Sequence, residues 1–303
     1  MKLCIASHIV LDEIVDLDGK QLESLGGPVC YGSLLAKTFK FDPSPATKVG
    51  TDISDKVKTL KEYGINLVDS QIDPSNPTTR FKLKSKRDGG RELFLLSRCS
   101  PIKLIDIPHS DGLVVSPVIG EISADTLSEI VKSEKNRFVM VDPQGFLRNA
   151  SEDGSVTNKK HLDLDLKGVT AIKADEDELS ALTGGLASLE GMKMLKKKYG
   201  IEHIISTSKT DIIFLNKNIV YSIKIKKIDS PDHTGLGDIL ATSFTCAYLK
   251  EKDPLWAISF GAGSVISALQ SKKRGIEKIP SSLKLIEKNS TYIYNTIKFK
   301  VID

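Results

Sequence analysis

Apolar and polar positions divide this chain into short segments of two alternating periods. Largely apolar runs recur at residues 3–6, 47–49, 112–116, 138–141, 169–172, 203–206, 212–215 and 220–225. Their length and boundaries predict buried strands. Between them apolar residues return at three- and four-residue intervals, which predicts helices over 29–40, 52–63, 124–133, 176–182, 189–199, 238–250 and 254–271. Pro28 and Pro254 stand at first helical positions, where a missing N–H does no harm. Gly64 and Gly200 stand where helices should stop. Strands interleaved with helices predict an α/β fold with a largely parallel sheet. In such sheets ligands bind beyond the carboxyl ends of the strands.

Two stretches break the alternation. Residues 13–21 read as strand, turn and strand, with Asp18-Gly19 as the turn. Residues 78–96 read as a hairpin turning at Arg87-Asp88-Gly89-Gly90. Thr79, Phe81, Leu83 and Ser85 alternate with Arg80, Lys82, Lys84 and Lys86, a strand with one wet face. Both segments together predict a small β-sheet standing off the main one. It is either a lid over an active site or a plain decorative hairpin.

Composition narrows the classes. A chain of 303 residues holds one large domain with room for a smaller appendage. Its 40% hydrophobic and 27% charged residues are those of a soluble globular protein. The net charge of +4 is small and the lysines are scattered, so no nucleic-acid partner is expected. No apolar run approaches the roughly 20 residues of a membrane helix, so no membrane partner is expected either. The first seven residues read as a strand and lack a signal-peptide core. Cys4, Cys30, Cys99 and Cys246 form no C-x-x-C pair and read as reduced core residues, as in a cytoplasmic protein. The five histidines show no ligand spacing. A G-x-x-x-x-G-K-[ST] loop is absent, and Gly261-Ala262-Gly263 follows a helical pattern, which suits close helix packing better than a dinucleotide fingerprint.

The richest chemistry lies in Asp232-His233-Thr234-Gly235-Leu236-Gly237-Asp238, which runs straight into a helical pattern. Gly235 and Gly237 allow a tight turn with uncovered N–H groups. The first turn of a helix has donors without partners and partial positive charge. Together these form an anion site, with phosphate the usual guest. Asp238 would aim a carboxylate at that site, and proton abstraction is a use for it. A turn followed by an ordinary helix-start acid is the plainer alternative.

In their order these motifs resemble the ribokinase-like (PfkB) carbohydrate kinase family over nearly the whole chain. Residues 3–14, with Asp12, resemble its opening strand, whose aspartate holds substrate hydroxyls. Gly26-Gly27 before Pro28 resembles its double-glycine hinge, and Val49-Gly50-Thr51-Asp52 its V-G-x-D. Ala174-Asp175-Glu176-Asp177-Glu178 stands at its N-x-x-E, and residues 232–238 at D-T-T-G-A-G-D. The resemblance implies a three-layer α/β/α core (1–12, 28–75 and 101–303) and a β lid (13–27 and 76–100). It implies phosphorylation of a polyol, sugar or nucleoside by ATP with Mg²⁺, in a monomer or a homodimer formed through the lid. Asp238 would be the catalytic base, and the N–H groups of Gly235, Leu236 and Gly237 the anion hole. Asp12, Gly26, Gly27 and Asp142 would bind substrate. Thr207, Ser208, Gly235, Gly237 and Gly263 would bind nucleotide, and Asp175 and Glu178 would organise the metal.

Departures accompany the match. Asp175 replaces an Asn, His233 a Thr and Leu236 an Ala; residues 207–211 lack the glycines of the nucleotide loop, and an Asn is missing near Gly263. Residues 25–32, 100–102 and 142–148, the last reading D-x-Q-G-F-x-R, look like archaeal members that act on myo-inositol. Other readings of single residues stay open. Asp52 either binds a hydroxyl or caps its helix; Glu178 is a metal organiser or an exposed helix acid; Asp142 faces a cleft or makes a turn; Arg148 meets a phosphate or salt-bridges on the surface. Tyr31, Phe81 and Phe94 would suit a purine, so a nucleoside kinase is an alternative, as is a nucleotide-binding regulator without catalysis.

Overall fold

The computed structural model describes residues 1–15, 17–85, 91–133, 137–186 and 188–302. Strands form at β1 Lys2–Ala6, β2 Val10–Val15, β3 Gln21–Gly26, β4 Asp42–Ala46, β5 Val49–Gly50, β6 Ile72–Asp73, β7 Thr79–Ser85, β8 Arg91–Ser97, β9 Gly112–Val115, β10 Phe138–Val141, β11 Arg148–Ala150, β12 Val156–Asn158, β13 Ala171–Asp175, β14 His203–Thr207, β15 Asp211–Asn216, β16 Ile219–Lys224 and β17 Lys298–Val301. Helices form at α1 Pro28–Thr38, α2 Val57–Glu62, α3 Ala124–Ser133, α4 Gln144–Leu147, α5 Glu176–Thr183, α6 Ser188–Tyr199, α7 Leu236–Glu251, α8 Pro254–Gln270 and α9 Leu283–Thr296.

The main sheet has nine strands in the order β17-β16-β15-β14-β13-β10-β9-β1-β4. Neighbours from β4 through β14 are parallel, and those beyond β14 are antiparallel. Both faces are covered, which is why the central strands are continuous apolar runs. Alternate residues of one strand enter opposite cores. Leu3 and Ile5 pack with Leu35 of α1, Phe244 of α7, Ile258 of α8 and Ile286 of α9. Cys4 and Ala6 pack with Leu127 of α3, Leu179 of α5 and Leu195 of α6. The result is a three-layer α/β/α sandwich. All four cysteines are buried, and none forms a disulfide among the described residues. Among the described residues no helix is long and apolar enough to cross a membrane.

A separate four-stranded sheet has the order β3-β2-β7-β8. Its central pair, β2 and β7, is parallel, and the outer pairs are antiparallel. The first pair of strands reaches from Val10 to Gly26, well beyond the expected 13–21. The expected turn at Arg87-Asp88-Gly89-Gly90 lies outside the described residues.

Residues 7–9 carry the chain from the main sheet into the small one, and a polar cluster fixes this crossing. Glu121 is buried, and its carboxylate accepts from the N–H groups of His8 (3.1 Å), Val118 (2.7 Å) and Ile119 (2.8 Å). The His8 ring bonds the Thr79 hydroxyl (2.7 Å) and the Ser100 carbonyl (2.9 Å), one at each end of the β7–β8 hairpin. Burial holds His8 below the usual imidazole pKa, with Glu121 opposing.

Several expected elements are corrected. The strand at 47–49 is displaced to β4, whose Pro43 and Pro45 disguise it. Proline is tolerated there because β4 is the sheet edge. The helix at 52–63 opens as a 3₁₀ segment, Thr51–Lys56, before α2. The strand at 169–172 lies further on as β13, because Lys173 and Asp175 interrupt its apolar run. Helix α9 and strand β17 were not expected at all.

Candidate active site

Four neighbouring parallel strands deliver side chains to one edge of the main sheet. Ser116 follows β9, Asp142 follows β10, Lys173 and Asp175 end β13, and Thr207 ends β14. Helix α7 begins above them. Gly235 is its N-cap in the left-handed region (φ 71°), a conformation that favours glycine. A Cβ there would also lie 2.6 Å from the Tyr31 ring. Leu236, Gly237 and Asp238 form the first turn, where backbone N–H groups have no acceptor inside the helix. The loop before them is tied by Asp232, whose carboxylate accepts from the N–H groups of Thr234 (2.8 Å) and Gly275 (2.7 Å).

Asp238 faces a cavity of about 410 Å³. Its Oδ1 accepts from the Ser116 hydroxyl at 3.2 Å. Burial, and then the neighbouring Asp142 charge, raise its pKa to about 7; Lys173, Ser116 and Arg148 work in the opposite direction. A carboxyl poised near neutrality suits a general base. Asp12 and Gly27 line the same cavity. Asp12 projects from β2 and is 9% exposed. Gly26 does not line the cavity; a Cβ on it would lie 2.6 Å from Asp12 Oδ2, so its small size leaves room for that carboxylate. Phe81, Leu83, Glu92 and Leu93 of the small sheet cover the cavity. Of the three aromatic residues considered, Tyr31 and Phe81 line it and Phe94 does not.

Lys173 is the main residue that sequence reasoning missed. Its ammonium lies 3.0 Å from Asp142 Oδ2 and 3.5 Å from Glu178 Oε2. Burial opposes its charge, but the two carboxylates outweigh burial and hold its pKa above the ordinary lysine value. A Cβ on Gly237 would lie 2.9 Å from Lys173 Nζ, so this ammonium sits against the anion loop. The available signal was a lone lysine inside the apolar run Val169-Thr170-Ala171-Ile172-Lys173-Ala174.

Asp175 and Glu178 form a reciprocal capping box: Asp175 Oδ1 accepts from Glu178 N (2.8 Å), and Glu178 Oε2 from Asp175 N (2.7 Å). Glu178 is buried, not the exposed helix acid that was one alternative. Burial lifts its pKa to about 7 against the pull of Lys173. Among the described residues there is no group of three or more side chains able to hold a metal ion.

A second cavity of about 240 Å³ adjoins the first; Lys173, Asp175, His233, Leu236 and Gly237 line both. Thr207 and Ser208 form one side of it. The loop they begin closes without glycine, because Ser208 N–H donates to the Asp211 carbonyl (2.9 Å) and Asp211 N–H to the Ser208 hydroxyl (3.2 Å). Ile225, Ile228, Val265 and Leu269 make an apolar far wall, with Lys209, Lys226 and Lys227 near it.

Other expectations are corrected here. Gly263, expected among the nucleotide-binding residues, lines neither cavity; a Cβ there would lie 2.8 Å from Ser290 N, so it serves close packing of α8 on α9. Asp52 makes no helix cap. Its carboxylate accepts from Thr78 N (2.9 Å) and Thr78 Oγ1 (2.7 Å) at the base of β7. Arg148 is no surface residue: it lines the first cavity, donates to the Val118 carbonyl (3.0 Å) and lies over the Phe81 ring. Gln144, the Q of the D-x-Q-G-F-x-R run, lines the same cavity.

A family model described as pfkB family carbohydrate kinase matches residues 36–277. A search of curated proteins found no match. Among solved structures, a pyrophosphate-dependent myo-inositol-1 kinase converted by two substitutions into a myo-inositol-3 kinase superposes with a TM-score of 0.79 at 22% identity, over 96% of this chain and 99% of that one. The ribokinase of Arabidopsis thaliana, solved with ribose and ATP, gives 0.72 at 15% identity, over 95% and 98%. The nucleoside kinase of Methanocaldococcus jannaschii gives 0.70 at 15%, over 96% and 98%.

Proposed function

This chain belongs to the pfkB family of carbohydrate kinases, phosphotransferases that act on a hydroxyl group, and on that premise we propose that it transfers the γ-phosphoryl group of ATP to a small polyhydroxylated ring, a cyclitol such as myo-inositol before a sugar. The observation that carries this reading is the place of Asp238. Its carboxyl, with a pKa raised to about 7, stands at the start of α7 where two cavities meet.

The acceptor takes the cavity under the small sheet, where Asp12 and Asp142 accept its hydroxyls and Gln144 and Arg148 complete the polar wall. Gly26 lets the backbone pass close to Asp12, and Gly27 lets it pass close to the His8 carbonyl. The small sheet acts as a lid that excludes water as a competing acceptor. The donor takes the second cavity, with its base on the apolar far wall and its phosphates toward Thr207, Ser208 and the amides of Gly235, Leu236 and Gly237. Asp238 takes the proton of the attacking hydroxyl. That oxygen bonds the γ-phosphorus as the bond to the β–γ bridging oxygen breaks, and ADP leaves with the electron pair. Lys173 balances charge on the transferring group from across Gly237. Magnesium ordinarily uses one or two protein carboxylates, with water and substrate phosphates as its other ligands. Asp175, at the junction of the cavities, fits that need, with Glu178 behind it. The ion would neutralise phosphate charge.

Pyrophosphate is a second donor reading. The similar pyrophosphate-dependent kinase and the lysines of the second cavity favour it. An apolar wall of four side chains has no use with that donor, so ATP is preferred. A screen with radiolabelled ATP and, in parallel, radiolabelled pyrophosphate against inositols, pentoses, hexoses and nucleosides tests the reading. Label transfer from ATP to a cyclitol is expected. Transfer from neither donor to any acceptor would leave a nucleotide-binding regulator; transfer to nucleosides alone would make it a nucleoside kinase.

A further inference from the structure

Lys278 takes no part in the chemistry above, yet it is 0% exposed and among the largest fully buried side chains. Lysine is almost never buried without a partner. It ends the 3₁₀ turn Gly275–Lys278, and its ammonium contacts two residues of the anion loop and an aromatic ring of α1. It lies 2.8 Å from Asp232 Oδ2, donates to the Thr234 carbonyl, and sits 5.6 Å from the centroid of the Tyr31 ring. Tyr31 in turn fills the space that a side chain on Gly235 would need.

We propose that Lys278 is the positioning residue of the phosphate-binding loop, acting through Asp232 and the Thr234 carbonyl to aim the amides at the start of α7. In a trans peptide the C=O and N–H point in opposite directions, and among the described residues no peptide bond is cis. Holding the Thr234 carbonyl toward Lys278 therefore turns the Gly235 N–H away from it. Gly235 lines the acceptor cavity while Lys278 is wholly interior. The same ammonium neutralises Asp232, whose carboxylate is otherwise a negative group close behind an anion site. Asp232 keeps a depressed pKa of about 2: burial pushes it up, and Lys278 with the Thr234 and Gly275 amides more than reverses this. Apolar residues often stabilise a core as well as a buried ion pair does. A lysine at this place is thus better explained by the geometry it imposes than by stability.

The inference rests on the kinase reading, and wild-type transfer in the same assay separates the two. If wild type transfers no phosphoryl group to any acceptor, the kinase reading fails. If wild type is active and Lys278 variants match it, the positioning role fails. In Lys278→Ala and Lys278→Met turnover should drop by about a hundredfold, as when a preorganised donor is lost. The acceptor KM should stay within about threefold, since the carboxylates of Asp12 and Asp142, which would hold its hydroxyls, are unchanged. n-Propylammonium, which replaces the lost Cγ through Nζ, should restore part of the turnover of Lys278→Ala and none in Lys278→Met or wild type. Lone Asp232 charge can prevent folding of both variants, so the pair Asp232→Asn with Lys278→Met, which leaves no buried charge, carries the same test. Recovered thermal stability with turnover still depressed supports positioning. Recovered stability with wild-type turnover overturns it, because a purely structural ion pair would be fully replaced.

Discussion

In the proposed reaction the carboxyl of Asp238 is the base, and its environment sets a pH dependence. A proton acceptor works only when deprotonated. With a pKa raised to about 7 by burial and Asp142, turnover should rise with pH through neutrality and level off above it. Asp238→Asn should lower turnover by roughly 10²–10⁴-fold and flatten that rise, with donor affinity nearly unchanged in calorimetry. Retention of more than about a tenth of wild-type turnover removes Asp238 from the role of base. Lys173 is coupled to this profile, because its charge holds the Asp238 pKa down. Lys173→Met should therefore move the rising limb to higher pH. It also leaves Asp142 and Glu178 buried without their cation, which should cost about 3–5 kcal/mol in urea unfolding. An unshifted limb in a folded variant contradicts the coupling. The two residues differ in how plainly the sequence shows them. Asp238 lies in a contiguous motif where two glycines and a helix start fix its neighbours. Lys173 has meaning only beside Asp142, 31 positions away, and no local pattern reports that meeting.

At the scale of elements, the small sheet joins the core by crossings whose geometry is demanding. The return crossing passes through Gly27, with φ 85°, directly before α1. A Cβ there would lie 2.7 Å from the His8 carbonyl, inside the polar cluster that holds the outward crossing. Gly27→Ala should cost about 1–3 kcal/mol, because φ 85° with ψ 160° is a backbone conformation open essentially to glycine alone. Because the strain falls at the crossing, the acceptor KM should rise more than the donor KM. Equal donor and acceptor effects would argue against a hinge at this point. Local periodicity exposed most helices, since a helix reports its buried face every three or four residues. It failed where tertiary position overrides composition. Strand β4 carries two prolines and survives as an edge, and β13 holds charged residues because it ends in the site. Asp52 looked like a cap, yet it bonds Thr78, 26 positions on.

Over the whole molecule, the alternation of strands and helices was enough to place a cleft at the carboxyl edge of a parallel sheet, and Ser116, Asp142, Asp175 and Thr207 stand along that edge. What alternation alone could not show is which side of the cleft each partner closes. Asp12 makes the point: it lies early in the chain, on a strand of the small sheet, and meets the cavity only because β2 pairs with β7. In the proposed reaction the acceptor would thus be held between a core that supplies the base and a sheet that supplies Asp12 and an apolar cover. Such an arrangement makes acceptor binding a link between two bodies joined by short crossings, while the donor touches the core. Hydrogen exchange should therefore respond asymmetrically. A non-hydrolysable ATP analogue alone should slow exchange around residues 207–211 and 234–238. Adding the acceptor should slow β2, β3 and β7 as well, with the already protected β9 and β10 unchanged. Exchange in β2 and β7 that ignores the acceptor would mean the small sheet is a fixed wall and closure is not part of the cycle.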